Sequence, residues 1–200
     1  MTGIQALERI APTKLVKPGL VERREFEYER HGTRTLIANI EVATGRISAA
    51  SIGQTRTEED FARHIEERVK TDEVGEWVFV LDQLNIHQSA SLVKLVAGLC
   101  MPAEALGVKG ESGILKSMAS RKAYLEDKSH RVRFVFTPKH SSWLNQIEIW
   151  FSILMRRLLK RGNFKSVEDL QAQILAFITY FNEVLAKPFK WTYKGRPLQC

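Results

Sequence analysis

Trp77-Val-Phe-Val-Leu81 is the stretch that most restricts what this chain can fold into. Five consecutive apolar, strand-forming residues leave no polar position to turn toward water. The run therefore predicts a central strand covered on both faces, and it stops at Asp82. Upstream the pattern alternates instead. Phe26 and Tyr28 are interleaved with Glu25, Glu27 and Glu29, so Arg24 to Arg30 reads as a half-buried strand. His31-Gly32 reads as a turn, Thr35 to Val42 as a second strand, Thr44-Gly45 as another turn and Arg46 to Ile52 as a third strand. These segments predict an antiparallel three-strand meander. Residues 2–22 show no readable period, and Pro12 and Pro18 interrupt any long element there.

After the meander the period lengthens. Thr57 can cap a helix with Asp60 at its N3 position and Phe61, Ile65 and Val69 on its inward face. Leu92 to Leu99 suits a helix, residues 101–129 contain Gly and Ala with weak periodicity, and Arg131 to Phe136 alternates as a strand. Two helices follow. One runs to about Arg161, where Gly162 and Asn163 can end it; the other is capped by Ser166 and buries Leu170, Ile174, Phe177, Ile178 and Phe181. Three antiparallel strands, then alternating helices and strands, then helices, predict an α/β fold: a mixed sheet with helices on its faces.

The 200 residues fit one domain with enough chain to bury a core. No apolar run is long enough to span a membrane, and Glu8, Arg9 and Lys14 interrupt any signal peptide. Cys100 and Cys200 form neither a disulfide framework nor a zinc site. A reducing cytoplasm is the expected location. From Lys139 onward ten Lys/Arg stand against four acids, so this part carries +6 of the net +7. Cations beside Trp143, Trp150, Phe189, Trp191 and Tyr193 are the composition a polyanion-binding face needs.

Two carboxylates stand where carboxylates are costly. Leu144, Ile147, Phe151, Leu154 and Leu158 recur at helical spacing, and Glu148 falls within their stripe. A buried carboxylate requires a pairing cation or a metal, and an Arg or Lys partner is the simpler of the two. Asp82 ends a buried strand, at the carboxyl edge where sites in alternating α/β folds tend to lie; a turn or helix-cap Asp reads the same way. If both face one point, they offer hard oxygen ligands for Mg²⁺ or Mn²⁺. A pair of such ions can activate a nucleophile and stabilise the leaving oxygen of a phosphodiester. A metal pair needs several carboxylates, however, and two are too few.

Lys139-His-Ser-Ser-Trp-Leu-Asn-Gln-Ile-Glu148-Ile-Trp-Phe resembles the last acidic motif of DDE transposases of insertion-sequence family 630, relatives of the mariner elements. Val80-Leu-Asp82-Gln-Leu-Asn-Ile-His87 resembles their second acidic motif, Thr2-Gly-Ile-Gln-Ala-Leu-Glu-Arg9 the segment after their first, and Lys187-Pro-Phe-Lys-Trp-Thr-Tyr193 their C-terminus. The resemblance covers essentially the whole chain. It implies an RNase H-like fold over residues 1–200 and catalytic, metal-binding roles for Asp82 and Glu148. It also implies a Mg²⁺ or Mn²⁺ cofactor, and DNA, as transposon ends and target, for a partner. In the family a first catalytic Asp precedes the Thr-Gly-Ile-Gln-Ala-Leu segment, with a helix-turn-helix region upstream of that. This chain is accordingly expected to be an N-terminally truncated catalytic domain, weak or inactive alone, with 101–129 as a spacer insertion. A bacterial, nucleoid-associated location goes with that reading.

The resemblance gives further residues candidate roles, each with a plainer alternative. Lys139 and His140 precede the Glu148 helix, suiting a phosphate contact at its N-terminus. Ser141 and Ser142 read first as caps. Asn145, one turn before Glu148, can hold a scissile phosphate or bond backbone. Arg156, Arg157, Lys160 and Arg161 form a basic face that DNA binding would use without sequence preference. His87 can orient Asp82, touch DNA or cap. Trp143 and Trp150 fit a core better than base stacking, and His31, His64 and His130 show no ligand spacing and read as structural. The rival function is a non-catalytic fragment that binds DNA or associates with a full-length transposase, and a homodimer is a further possible association. A free-standing RNase H-like nuclease fits less well, because its acidic set is incomplete.

Overall fold

The computed structural model describes residues 3–11, 14, 18, 21, 26–100, 106–139, 141 and 144–190. Strands β1 (Ile4–Arg9), β2 (Tyr28–Ile40) and β3 (Ile47–Gly53) form one antiparallel sheet in the order β1-β2-β3. The remaining strands, β4 (Trp77–Leu81) and β5 (Val132–Phe136), pair in parallel. The α-helices among the described residues are α1 (Glu58–Val69), α2 (Ala90–Cys100), α3 (Met118–Leu125), α4 (Gln146–Leu154) and α5 (Val167–Tyr180). This is the α/β, RNase H-like combination of meander, parallel strands and flanking helices that was expected.

The meander is cut differently from the expected one. His31-Gly32 is no turn: β2 runs straight through it, pairing its first half with β1 and its second with β3. Ala6 faces Gly32 and Leu7 faces Arg30, so His31 is the extra residue of a β-bulge. Gly32 makes this possible with φ of 130°, a conformation that glycine alone adopts freely. Turns and bulges use the same residues, hence the misreading. The first strand of the meander is β1, from the stretch that showed no period, and part of the expected Arg24–Arg30 strand lies outside the described residues. Thr44-Gly45 does turn, with Gly45 N–H donating to Glu41 O at 2.7 Å.

The expected helix caps are present. Thr57 and Asp60 form a reciprocal capping box on α1, and Ser166 Oγ accepts from Asp169 N–H on α5. The Glu148 helix departs from expectation at both ends. Its N-cap is Asn145, not Ser141, while Ser142 lies outside the described residues. After Leu154 the helix widens into a π-helical turn over Met155–Leu159, closed by Lys160 N–H to Met155 O at 2.8 Å. Residues 101–105 are not described, but 106–129 is more than a spacer. Ser117 caps α3, and Leu115 and Leu125 are buried in the core.

Apolar burial falls into two clusters. One gathers α1, α2, β4 and β5 around Ile65, Leu92 and Phe134. The other gathers β1–β3, α4 and α5 around Leu36, Trp150 and Ile174. Between them, β4 is not the doubly covered strand that its composition predicted. Val78 and Val80 remain 48% and 46% exposed, and β4 pairs only with β5 among the described residues. A strand this apolar is expected to be covered on both faces by packed elements, and the face that carries Val78 and Val80 is not. Among the described residues β4 has one neighbour.

Candidate active site

A groove of about 810 Å³ lies between β2 and β4, and the carboxylates singled out above both line it. Asp82 follows β4 directly, because the apolar run ends there and the chain turns into a short 3-10 helix, Asn85–Gln88. Glu148 comes from the first turn of α4, whose other inward residues, Phe151 and Leu154, anchor in the core. Residues far apart in sequence thus reach one concave surface.

Asp82 is held on one side only. Its Oδ1 takes a 2.7 Å contact from His87 Nδ1 and accepts Leu84 N–H at 3.1 Å. The His87 hydrogen bond draws the Asp82 carboxyl below its ordinary range, against the opposing effect of partial burial. Asp82 therefore stays anionic, with Oδ2 taking no hydrogen bond among the described residues. The His87 ring is fixed in turn against Phe61, with centroids 4.5 Å apart. Together these contacts fix the orientation of the Asp82 carboxylate.

Glu148 is half-buried, and the Arg or Lys partner that would have explained it is absent among the described residues. Two further acids line the groove, and turns engage both. Asp72 accepts Val74 and Gly75 N–H, and Glu41 accepts the Thr44 hydroxyl. Among the described residues Asp82 keeps Oδ2 free of hydrogen bonds and Glu148 keeps both carboxylate oxygens free, as Asp72 keeps Oδ2 and Glu41 keeps Oε1, and carboxylate oxygens of this kind suit a hard divalent cation.

A family model described as DDE superfamily endonuclease matches residues 2–171. The chain belongs to this superfamily. No curated protein and no solved structure matches it. For a DDE endonuclease, DNA is the implied partner and divalent metal the implied cofactor.

The other predicted residues divide. Asn145 joins the groove lining, whereas Lys139 is exposed in the turn before α4 and His140 lies outside the described residues. Arg156, Arg157, Lys160 and Arg161 lie beyond α4, and none lines the groove. Arg156, Arg157 and Arg161 are exposed there, and so is Lys160 at the end of the π-helical turn. Trp150 is fully buried, so it belongs to the core and not to a stacking surface; Trp143, Trp191 and Tyr193 lie outside the described residues. No helix among the described residues is long and apolar enough to cross a membrane.

Sequence reading missed two features. Gln83 Nε2 donates to Thr137 O at 2.7 Å, tying the Asp82 loop to the end of β5, and Arg121 of α3 donates to Gln88 O at 2.8 Å and Leu115 O at 3.0 Å. The weakly periodic segment around α3 thus buttresses the loop that holds Asp82. The second is a cluster of Glu8, Glu29 and His31, whose ligand atoms lie within 4.8 Å of one another. His31 had shown no ligand spacing. Glu8 and Glu29 are direct cross-strand partners, and the bulge swings His31 to 2.8 Å from Glu8. A bulge is invisible to spacing rules.

Proposed function

We propose that this DDE endonuclease chain is the catalytic domain of an insertion-sequence transposase related to family 630, acting on transposon-end and target DNA. Asp82 and Glu148 hold Mg²⁺ or Mn²⁺ in the groove, His87 positions Asp82, and Asn145 orients a phosphate. A bound divalent ion there supplies Lewis-acid stabilisation of the phosphodiester and lowers the pKa of an attacking water. Lys139 and His140 contact phosphate before α4, and the exposed Arg156, Arg157, Lys160 and Arg161 hold the DNA backbone. The working location is the bacterial cytoplasm, at the nucleoid. One observation carries the reading: Asp82 and Glu148, 66 positions apart in sequence, line a single groove, with Asp82 Oδ2 and both Glu148 carboxylate oxygens taking no hydrogen bond among the described residues.

Two available carboxylates are few for a metal pair, so this polypeptide alone is expected to cleave weakly or not at all. Because the four exposed cations lie outside the groove lining, DNA association does not require the acids. That favours a second reading, a non-catalytic fragment that binds DNA or a full-length transposase. Calorimetric titration with Mn²⁺, alongside plasmid nicking, separates the two. Asp82→Asn and Glu148→Gln should each weaken Mn²⁺ binding at least tenfold and remove any metal-dependent nicking. Unchanged Mn²⁺ binding in both variants defeats the site assignment.

A further inference from the structure

Between Asp169 and Glu183 the chain runs for thirteen residues without a charge, and all of them lie in α5 or in the π-helical turn, Phe181–Leu185, that continues it. Leu170, Ile174, Ile178 and Phe181 are buried on one face, against the sheet of β1 to β3. Helical spacing puts Ala172, Leu175, Ala176, Thr179 and Tyr180 on the opposite face, and all five are exposed. Leu175 is 43% exposed and Tyr180 45%, and Val184, at 61%, extends the face into the π-helical turn. The Thr179 hydroxyl is satisfied within the helix, donating to Leu175 O at 3.2 Å. A surface helix ordinarily turns charged residues to water. This one turns an uncharged, largely apolar face outward, which marks a contact surface.

The two ends of the face say what covers it. Glu168 stands one turn before Ala172 on the same side, with its side chain 76% exposed although Arg34 lies 3.5 Å away. Lys187 and Lys190, both exposed, follow the last turn. With Lys165 and Glu183 counted, residues 165–169 carry two acids and one Lys, and residues 183–190 carry two Lys and one Glu. A parallel copy of the helix would set like charge against like. An antiparallel copy sets Glu168 against Lys187 at both ends at once. In that register Leu175 lies opposite Tyr180, Ala176 opposite Thr179, and Glu183 opposite the uncharged Ala172. The short side chains of Ala172 and Ala176 let two helix axes approach to about 8 Å, the near end of the packing range.

We propose that this face is an interface between two copies of the chain, with α5 packed antiparallel on its counterpart about a two-fold axis between Ala176 and Thr179. Such an interface is isologous, the same patch meeting itself, which a self-complementary distribution of charge requires. None of its residues lines the groove of Asp82 and Glu148, so the interface does not depend on the metal site.

Sedimentation equilibrium of the full chain over a concentration series tests this, and should show a reversible monomer–dimer equilibrium. Ala176→Glu places two acids beside the axis. It should weaken the dimer at least tenfold with the far-UV spectrum unchanged, because the position is exposed. Glu168→Lys and Lys187→Glu each turn two attractive contacts per dimer into repulsive ones, and each should weaken association about tenfold. An equimolar mixture of those two variants should return to the wild-type range, because both contacts again join opposite charges. Asp82→Asn with Glu148→Gln should dimerise like wild type, which separates failure here from failure of the metal site. A monomer at every concentration, a dimer indifferent to Ala176→Glu, or a mixture that associates no better than its separate components would each overturn the proposal.

Discussion

Burial depresses the His64 imidazole to a pKa of about 4, against an ordinary 6.5. It is 1% exposed on the inward face of α1, with Nδ1 at 2.7 Å from Ser51 Oγ and Nε2 without a partner among the described residues. The unfolded chain takes up a proton as pH falls through 6.5, whereas the folded chain resists until about 4. Stability from this group is therefore complete above pH 6.5 and drains away below it, by about 3 kcal/mol in all. Urea denaturation of wild type and His64→Leu between pH 7.5 and 4.5 checks this. The variant should lose most of the wild-type slope, and parallel curves would contradict the assignment. At this scale the sequence spoke where a residue broke its own surroundings. Asp82 ended an apolar run, and Glu148 interrupted an apolar stripe. It was silent on Glu8, Glu29 and His31, because strand register and a bulge bring them together.

Among the elements, α3 bears most directly on the site. Arg121 donates two hydrogen bonds from α3, one of them to the 3-10 turn that follows Asp82. Arg121→Ala leaves both carbonyls without that donor and should cost roughly 1–3 kcal/mol. Amide exchange in residues 82–89 should accelerate more than in α5, and uniform acceleration or none would contradict a buttressing role. Long amphipathic helices and capped ends were legible, as at Thr57 with Phe61, Ile65 and Val69. In contrast α3 was not: its eight residues place only Leu125 fully in the core, so no period could emerge. The uncovered face of β4 was equally hidden. Its composition asks for cover on both faces, and composition cannot say whether both are covered.

For the whole molecule, an exposed basic stretch at Arg156, Arg157, Lys160 and Arg161 stands apart from the groove that Asp82 and Glu148 line. Duplex binding should weaken linearly on a log–log plot against salt, by about 0.9 in slope for each phosphate neutralised. Replacing the four cations with glutamine should flatten that slope in proportion to the phosphates no longer neutralised, whatever the duplex sequence. A slope unchanged by the four substitutions would place DNA binding elsewhere. The overall α/β plan was legible because alternation, apolar runs and helical stripes occur in the right order. The groove was not, since it arises from two sheets that meet without a shared strand.

The nuclease chemistry stands or falls on whether Asp82 and Glu148 converge on one divalent cation at the end of the groove. Crystals soaked in Mn²⁺ and measured at its absorption edge would show it. The expected result is an anomalous peak within ligand distance, about 2.2 Å, of both carboxylates. A peak confined to Glu8, Glu29 and His31, or none between Asp82 and Glu148, would contradict it.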